Sequence, residues 1–228
     1  MKIGIMGAME EEIQPIISKI ENLEKITYAN NIFYKGNYNS HELVVAYSKI
    51  GKTFSAMTAT LMIERFKCES IIFSGVAGGI NPALKIGDIV IGNQLCQHDF
   101  DITAFGREPG FITSHGIFSN SDYKLIEIAK TASNNLEINI IEGIIATGDQ
   151  FISNEEKKSW IRETFNADAL EMEGASVALV CDNLQIPFLI IRSISDTAGE
   201  DANISFDEFL VTAAKNSSNL IFGILDNL

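Results

Sequence analysis

The sequence has little of what would tie it to disulfides, metals, membranes or nucleic acid. Its three cysteines, Cys68, Cys96 and Cys181, are odd in number and widely spaced, with no Cys-x-x-Cys. That argues against a structural disulfide and fits a reducing interior. The three histidines, His41, His98 and His115, form no His-x-x-x-His or His-Cys cluster, so no dedicated transition-metal site is expected. No apolar run approaches the ~20 residues of a membrane span. Glu10-Glu11-Glu12 follows Met1-Lys2 too soon for a signal-peptide core. Basic residues are scarce, with 17 Lys+Arg against 30 Asp+Glu and a net charge of −13. Residues 1–114 hold 10 basic and 12 acidic side chains and residues 115–228 hold 7 and 18, so the excess acid sits in the second half. Such a chain lacks the clustered cations that replace counterions on a nucleic-acid backbone or bind an anionic membrane face. The expectation is a cytoplasmic protein with neither partner, its bulk charge serving solubility.

What the chain does have is material for a core. Hydrophobic residues make up 46% of its 228 positions, and a chain of this length buries roughly 70% of its unfolded surface without covalent staples. Short β-rich runs alternate with helical ones. Strands are predicted at Lys2–Gly7, Ser70–Ser74, Asp88–Gly92, Glu142–Thr147, Ala169–Met172 and Pro187–Ser195, and a hairpin at Ile32–Tyr38 and Glu42–Ser48. Helical spacing begins at Ile13, Ile16, Ile17 and Ile20 and continues in Thr53–Phe66, Ser121–Ser133, Asn154–Thr164, Gly174–Asn183 and Phe206–Leu225. Ser153-x-x-Glu156 and Ser205-x-x-Glu208 have the form of capping boxes. The alternation implies an α/β sheet covered by helices on both faces. With no repeat, low-complexity tract or linker, residues 1–228 read as one domain. The long Cys96–Phe118 stretch, with its Gly, Pro and His, is the kind of loop that is functional or lies at an interface.

Two phosphate motifs fail. Ala46-Tyr-Ser-Lys-Ile-Gly51-Lys52-Thr53 nearly spells a P-loop, but its first position is Ala46 rather than Gly. Gly75-Val-Ala-Gly78-Gly79 follows a strand with the wrong spacing for a dinucleotide fingerprint. Those glycines suit either a tight turn or close approach of a flat ligand to the backbone. Four acids stand out instead. Glu12 lies in the first helical turn after the first strand, where Glu10 and Glu11 equally suit the helix dipole. Glu171 and Glu173 are two apart and share a face if their strand persists, either at the surface or around something bound between them. Asp196 ends the most apolar strand, which also carries Arg192. Ligands of open α/β sheets sit at that strand edge.

Taken in order, Gly7-Ala-Met-Glu-Glu-Glu12, Ser74-Gly-Val-Ala-Gly-Gly79, Thr147-Gly-Asp-Gln-Phe-Ile152, Glu171-Met-Glu-Gly-Ala175, Arg192-Ser-Ile-Ser-Asp196 and Ser205-Phe-Asp-Glu-Phe209 resemble the 5′-methylthioadenosine/S-adenosylhomocysteine nucleosidase family of the nucleoside phosphorylase superfamily. The likeness runs almost from Met1 to Leu228. The Ser-Gly-Val-Ala and Gly-Asp-Gln-Phe variants further resemble the branch that cleaves 6-amino-6-deoxyfutalosine on the futalosine route to menaquinone. The resemblance implies a central mixed β-sheet flanked by helices. It also implies hydrolysis of the N-ribosidic bond of 5′-substituted adenine nucleosides by water, without a cofactor or metal.

The same resemblance implies roles for individual residues. Asp196, oriented by Ser195, protonates adenine N7. Glu12 activates the water with Arg192 nearby, and Glu173 holds the ribose hydroxyls. Two carboxyl groups divide acid and base work when their surroundings separate their pKa values. Met172 lies along the ribose, with Glu171 as an accessory polar contact. Phe151 stacks on adenine while the Ile152 backbone reads its edge. Ala8, Val76, Ala77 and Gly78 complete the lining. Met9, Ile50 and Phe206 line the 5′ pocket, joined by Ile102, Phe105 and Pro109 from a neighbouring subunit, so a homodimer is expected whose 96–118 loop crosses the interface. Val76 stands where better-known members carry Ser beside the water, which implies altered preference rather than inactivity.

Overall fold

A computed structural model of the protein describes residues 1–134, 136, 138–196 and 209–228 in full, and residues 202–208 by their backbone alone. β1 (Lys2–Gly7), buried from Ile3 onward, lies between β4 (His41–Tyr47) and β5 (Ser70–Gly79), parallel to both. On one side β2 (Glu21–Tyr28), β3 (Asn31–Tyr38) and β4 form an antiparallel meander. On the other side β5 pairs in parallel with β10 (Phe188–Asp196) and antiparallel with the short β9 (Ala169–Glu171). β6 (Ile89–Gln97) pairs antiparallel with β10 and parallel with β8 (Ile140–Thr147), which is parallel to β9. Strands β5, β10, β6, β8 and β9 therefore close on themselves, and β7 (Phe118–Asn120) adds to β6.

Helices cover both faces of this mixed sheet, as the alternating pattern implies. α2 (Lys52–Glu64) and α5 (Gly174–Leu184) bury Ala59, Met62, Val177 and Ala178 against one face. α1 (Glu10–Ile17), α3 (Tyr123–Ser133) and α6 (Ala202–Asn227) bury Ile13, Ile16, Leu125, Ile126, Leu220 and Ile221 against the other. α4 (Glu155–Phe165) closes a smaller cluster with Ile161 and Phe165. Among the described residues no helix is long and apolar enough to cross a membrane.

Several local expectations are corrected. β2 has no apolar alternation because nearly all of it is exposed; it joins β3 through Ala29 and Asn30 at φ 50° and 55°, the left-handed pair that a two-residue hairpin needs. The Gly75–Gly79 segment is not a turn but the continuation of β5, with Gly78 and Gly79 paired to Leu170 and Ala169. β6 runs on beyond Gly92 across a register shift to Gln97. The loop expected over Cys96–Phe118 is therefore residues 98–117, with one 3₁₀ turn at Thr103–Phe105. Asn154 rather than Ser153 caps α4, its side chain accepting from the Lys157 N–H at 3.0 Å. α6 begins at Ala202, ahead of Ser205, and the side chains of Ser205 and Glu208 lie outside the described residues. β9 stops at Glu171, so Glu171 and Glu173 do not share a strand face; Glu173 opens α5 instead.

Candidate active site

The ends of β1, β5, β9 and β10 surround a cavity of about 200 Å³. β1 delivers the chain to Ala8 and Met9, where α1 begins and the run of three glutamates divides. Glu10 and Glu11 face solvent, whereas Glu12 is buried and lines the cavity. Its Oε2 accepts from the N–H groups of Ala8 at 2.6 Å and Met9 at 3.0 Å, and its Oε1 accepts from the Val76 N–H at 3.0 Å. Burial pushes the Glu12 carboxyl above the usual carboxylate range, against the pull of Arg192 and those three donors. Val76 thus contributes a backbone amide as well as a side chain to the wall. That amide comes from the residue following Gly75, where a Cβ would meet Arg192 Nη1 and Glu12 Oε1, both at 2.8 Å. Glycine is there because two charged side chains close over the backbone.

Arg192 explains how two buried glutamates coexist. It is 1% exposed and points from β10 to Glu171. Glu171 Oε2 accepts from Arg192 Nη2 at 2.5 Å and Nε at 3.1 Å, and from the Gly174 N–H at 2.7 Å. Its Oε1 accepts from the Thr147 hydroxyl. Glu173 lies farther from the guanidinium, at 3.9 Å, and accepts from the Gly51 N–H at 2.9 Å. Burial, reinforced by repulsion from Glu171, pushes the Glu173 carboxyl up to about 8. Asp196, at the tip of β10, is also buried and accepts from the Ser195 hydroxyl at 2.9 Å.

Glu12, Glu171, Glu173 and Asp196 share the cavity wall with groups that are mostly apolar. Ala8, Met9, Val76, Ala77 and Gly78 line it from β1 and β5; Ile50, Phe151, Ile152 and Met172 do so from loops. Gln150 and Leu170, which the sequence reading did not single out, join them. Among the described lining residues there is no Lys, Arg or His. Arg192 stands behind this wall. Ile102, Phe105 and Pro109 lie away from it on the 98–117 loop, with Phe105 82% exposed. The Phe206 side chain lies outside the described residues. Thr147 and the amides of Gly51 and Val76 were also missed as site-building groups. Of these only Thr147 carries a side-chain signal, through its place in a resembling motif.

Residues 2–226 match the phosphorylase superfamily. The chain is 51% identical to an aminodeoxyfutalosine nucleosidase of Campylobacter jejuni, over 100% of both chains. It is 40% identical to a 5′-methylthioadenosine/S-adenosylhomocysteine nucleosidase of Tolumonas auensis, again over 100% of both. Among solved structures, an Asp→Asn mutant of the Helicobacter pylori nucleosidase with 5′-methylthioadenosine in its active site superposes with a TM-score of 0.97 at 45% identity, covering 100% of this chain and 99% of that one. The chain belongs to the 5′-methylthioadenosine/S-adenosylhomocysteine nucleosidase family of the phosphorylase superfamily.

Proposed function

We propose that the chain, acting as one nucleosidase domain, hydrolyses the N-ribosidic bond of 5′-substituted adenine nucleosides. The substrates are 5′-methylthioadenosine, S-adenosylhomocysteine, 5′-deoxyadenosine and 6-amino-6-deoxyfutalosine, and the products are the base and the 5′-substituted ribose. It would thus serve methionine salvage and, through the last substrate, menaquinone formation. The observation that carries this reading is the convergence of Glu12, Glu173 and Asp196 on one cavity with an apolar remainder. The departing adenine needs a proton at N7, which Asp196 donates while Ser195 holds its carboxyl. Water needs a base, and Glu12, fixed by three amides and pushed upward by burial, is poised to take a proton nearer neutrality than an ordinary carboxyl. Positive charge develops on the sugar as the bond breaks, and Glu173 faces it while holding the ribose hydroxyls. Phe151 stacks on the base, the Ile152 backbone reads its edge, and Met172 lies along the sugar. Glu171 acts indirectly, by holding Arg192.

A phosphorylase would need cations beneath the sugar to bind phosphate. The described lining residues offer none, and Arg192 is engaged by Glu171. The 5′ group lies towards Met9 and Ile50, and the family resemblance assigns Phe206 to the same pocket. Ile102, Phe105 and Pro109 reach the same pocket of a second subunit in a two-fold homodimer; the exposure of Phe105 supports this. Sedimentation at twice the chain mass is the expected result. Val76 has no hydroxyl, which leaves the water to Glu12 with Arg192 acting from behind the wall, and alters preference for the 5′ group. The deciding experiment measures adenine release from the four nucleosides with and without phosphate. Adenine and a free 5′-substituted ribose are expected in both conditions; a ribose-1-phosphate product would overturn hydrolysis.

A further inference from the structure

The Gly51-Lys52-Thr53 run, the end of the failed P-loop, opens α2 and grips two carboxylates from distant parts of the chain. The Gly51 N–H donates to Glu173 Oε1 at 2.9 Å, and the Lys52 N–H donates to Asp149 Oδ1 at 2.8 Å. Acidic groups at the first amides of a helix are favoured by unpaired N–H groups and the dipole alike. The Lys52 side chain turns the other way. Its Nζ lies 2.6 Å from Asp99 Oδ1 and donates to Gln97 Oε1 at 3.3 Å. The second Asp99 oxygen accepts from the Asp149 N–H at 2.9 Å. Lys52, Asp99 and Asp149 therefore form a closed ring of contacts. With side chains 18% and 13% exposed, the Lys52–Asp99 pair is sheltered from solvent. Gly51 permits the approach: its φ is 101°, and a Cβ there would stand 3.0 Å from Asp149 Oδ1.

We propose that Lys52 and Asp99 are positioning residues that lock the 149–152 base loop to the start of α2 and, through the neighbouring Gly51 amide, to Glu173. Base and sugar are then held by one frame assembled before the nucleoside arrives, which lowers the ordering cost of binding. This rests on the reading of Phe151, Ile152 and Glu173 as nucleoside contacts. Glu12 and Asp196 make none of these contacts, and the Gly51 amide on Glu173 is itself unaltered by changes at Lys52 or Asp99, so loosening the frame weakens binding more than chemistry.

The test compares Lys52→Met, Asp99→Asn, their double variant and Lys52→Arg with the parent protein, using 5′-methylthioadenosine. Either single change is expected to raise KM about tenfold, equivalent to about 1.4 kcal/mol, with kcat within about threefold. The double variant should be no worse than the worse single, since both remove one link, and Lys52→Arg should recover most of the loss. KM values within twofold of the parent, additive losses, or a fall confined to kcat would overturn the proposal. Asp99→Asn, nearly isosteric, remains the test if Lys52→Met does not fold. The parent protein's own turnover tests the nucleosidase reading separately. If it releases no adenine, that reading fails and the frame is judged by adenine affinity, which should weaken about tenfold in both variants.

Discussion

Replacing Glu171 with glutamine removes one negative charge from a heavily bonded side chain while keeping its shape. The remaining carbonyl oxygen can still accept from Arg192 and Gly174, and the new amide group can face the Thr147 hydroxyl oxygen, which already accepts from the Ala175 N–H at 2.8 Å. Most hydrogen bonds therefore survive, and the loss is electrostatic. Arg192, 1% exposed, would have Glu173 at 3.9 Å as its nearest carboxylate. Breaking a buried pair from one side costs about 3–5 kcal/mol. Glu173 offsets part of this, because it loses the repulsion of Glu171 and ionises more readily beside the guanidinium. A net loss near 3 kcal/mol is expected, lowering Tm by about 6–12 °C for a chain of this size. The offset needs an ionised Glu173, so the loss should be larger at pH 5 than at pH 8. In the parent protein the Glu173 carboxyl, pushed up to about 8, keeps a proton that the unfolded chain releases near 4.5, so its contribution to stability declines as pH rises between those values. Glu171→Gln should flatten that decline. Thermal melts at the two pH values decide the matter. A fall in Tm below about 2 °C at both would refute Glu171 as the counter-charge of Arg192.

Asp196→Asn should reduce adenine release by at least about 10²–10⁴-fold while leaving methylthioadenosine binding measurable; normal turnover by this variant would remove Asp196 as the acid. Gly75→Ala would push Arg192 and Glu12 from a Cβ that reaches 2.8 Å from each, and a loss of kcat/KM of about 100-fold is expected from the misplacement; parental activity would mean that the close approach is not what demands glycine. Since burial holds the Glu12 carboxyl above its ordinary 4.5, kcat/KM should begin to fall on acidification at a pH above that value, and a profile flat down to pH 4.5 would exclude Glu12 as the base. His98 is buried, its ring nitrogens have no hydrogen-bond partner among the described residues, and burial holds its imidazole below the ordinary 6.5. The unfolded chain therefore takes up a proton first, and the His98 contribution to stability should drop as pH falls below about 6.5, opposing that of Glu173. His98→Gln should raise stability at pH 5.5 relative to pH 7.5 beyond the difference the parent protein shows, and an unchanged difference in melts at the two pH values would refute the assignment.

Where local chemistry and tertiary setting agree, the fold was readable in advance. β1, the β3–β4 hairpin and β10 carry apolar runs that match their burial. Glu12 drew notice from its place after β1, but Glu10 and Glu11 share that place, and only the fold separates the one that turns inward. β2 was missed because a solvated strand has no apolar face to announce it. The glycines of β5 suited a turn or a close ligand approach equally, and for Gly75 the cause is a pair of charged side chains from α1 and β10, invisible in any local window. Glu171 looked like an auxiliary contact alone, since its bond to Arg192 joins β9 and β10, two strands that flank β5 only in the folded sheet. The amides of Gly51 and Val76 left no mark, because every residue but proline has one.

The placement of Arg192 on β10 also bears on the order in which the molecule assembles. β10 is the last strand among the described residues, and its partner β5 lies far upstream, with Phe188 opposite Ile71. Pairings of such separation are slow to form and come late. Until β10 docks, Glu12, Glu171 and Glu173 would have no buried cation among them, and their mutual repulsion favours keeping them hydrated. The nascent chain therefore has reason to hold this region open until β10 has been synthesised, and to close the charged centre only when that strand docks.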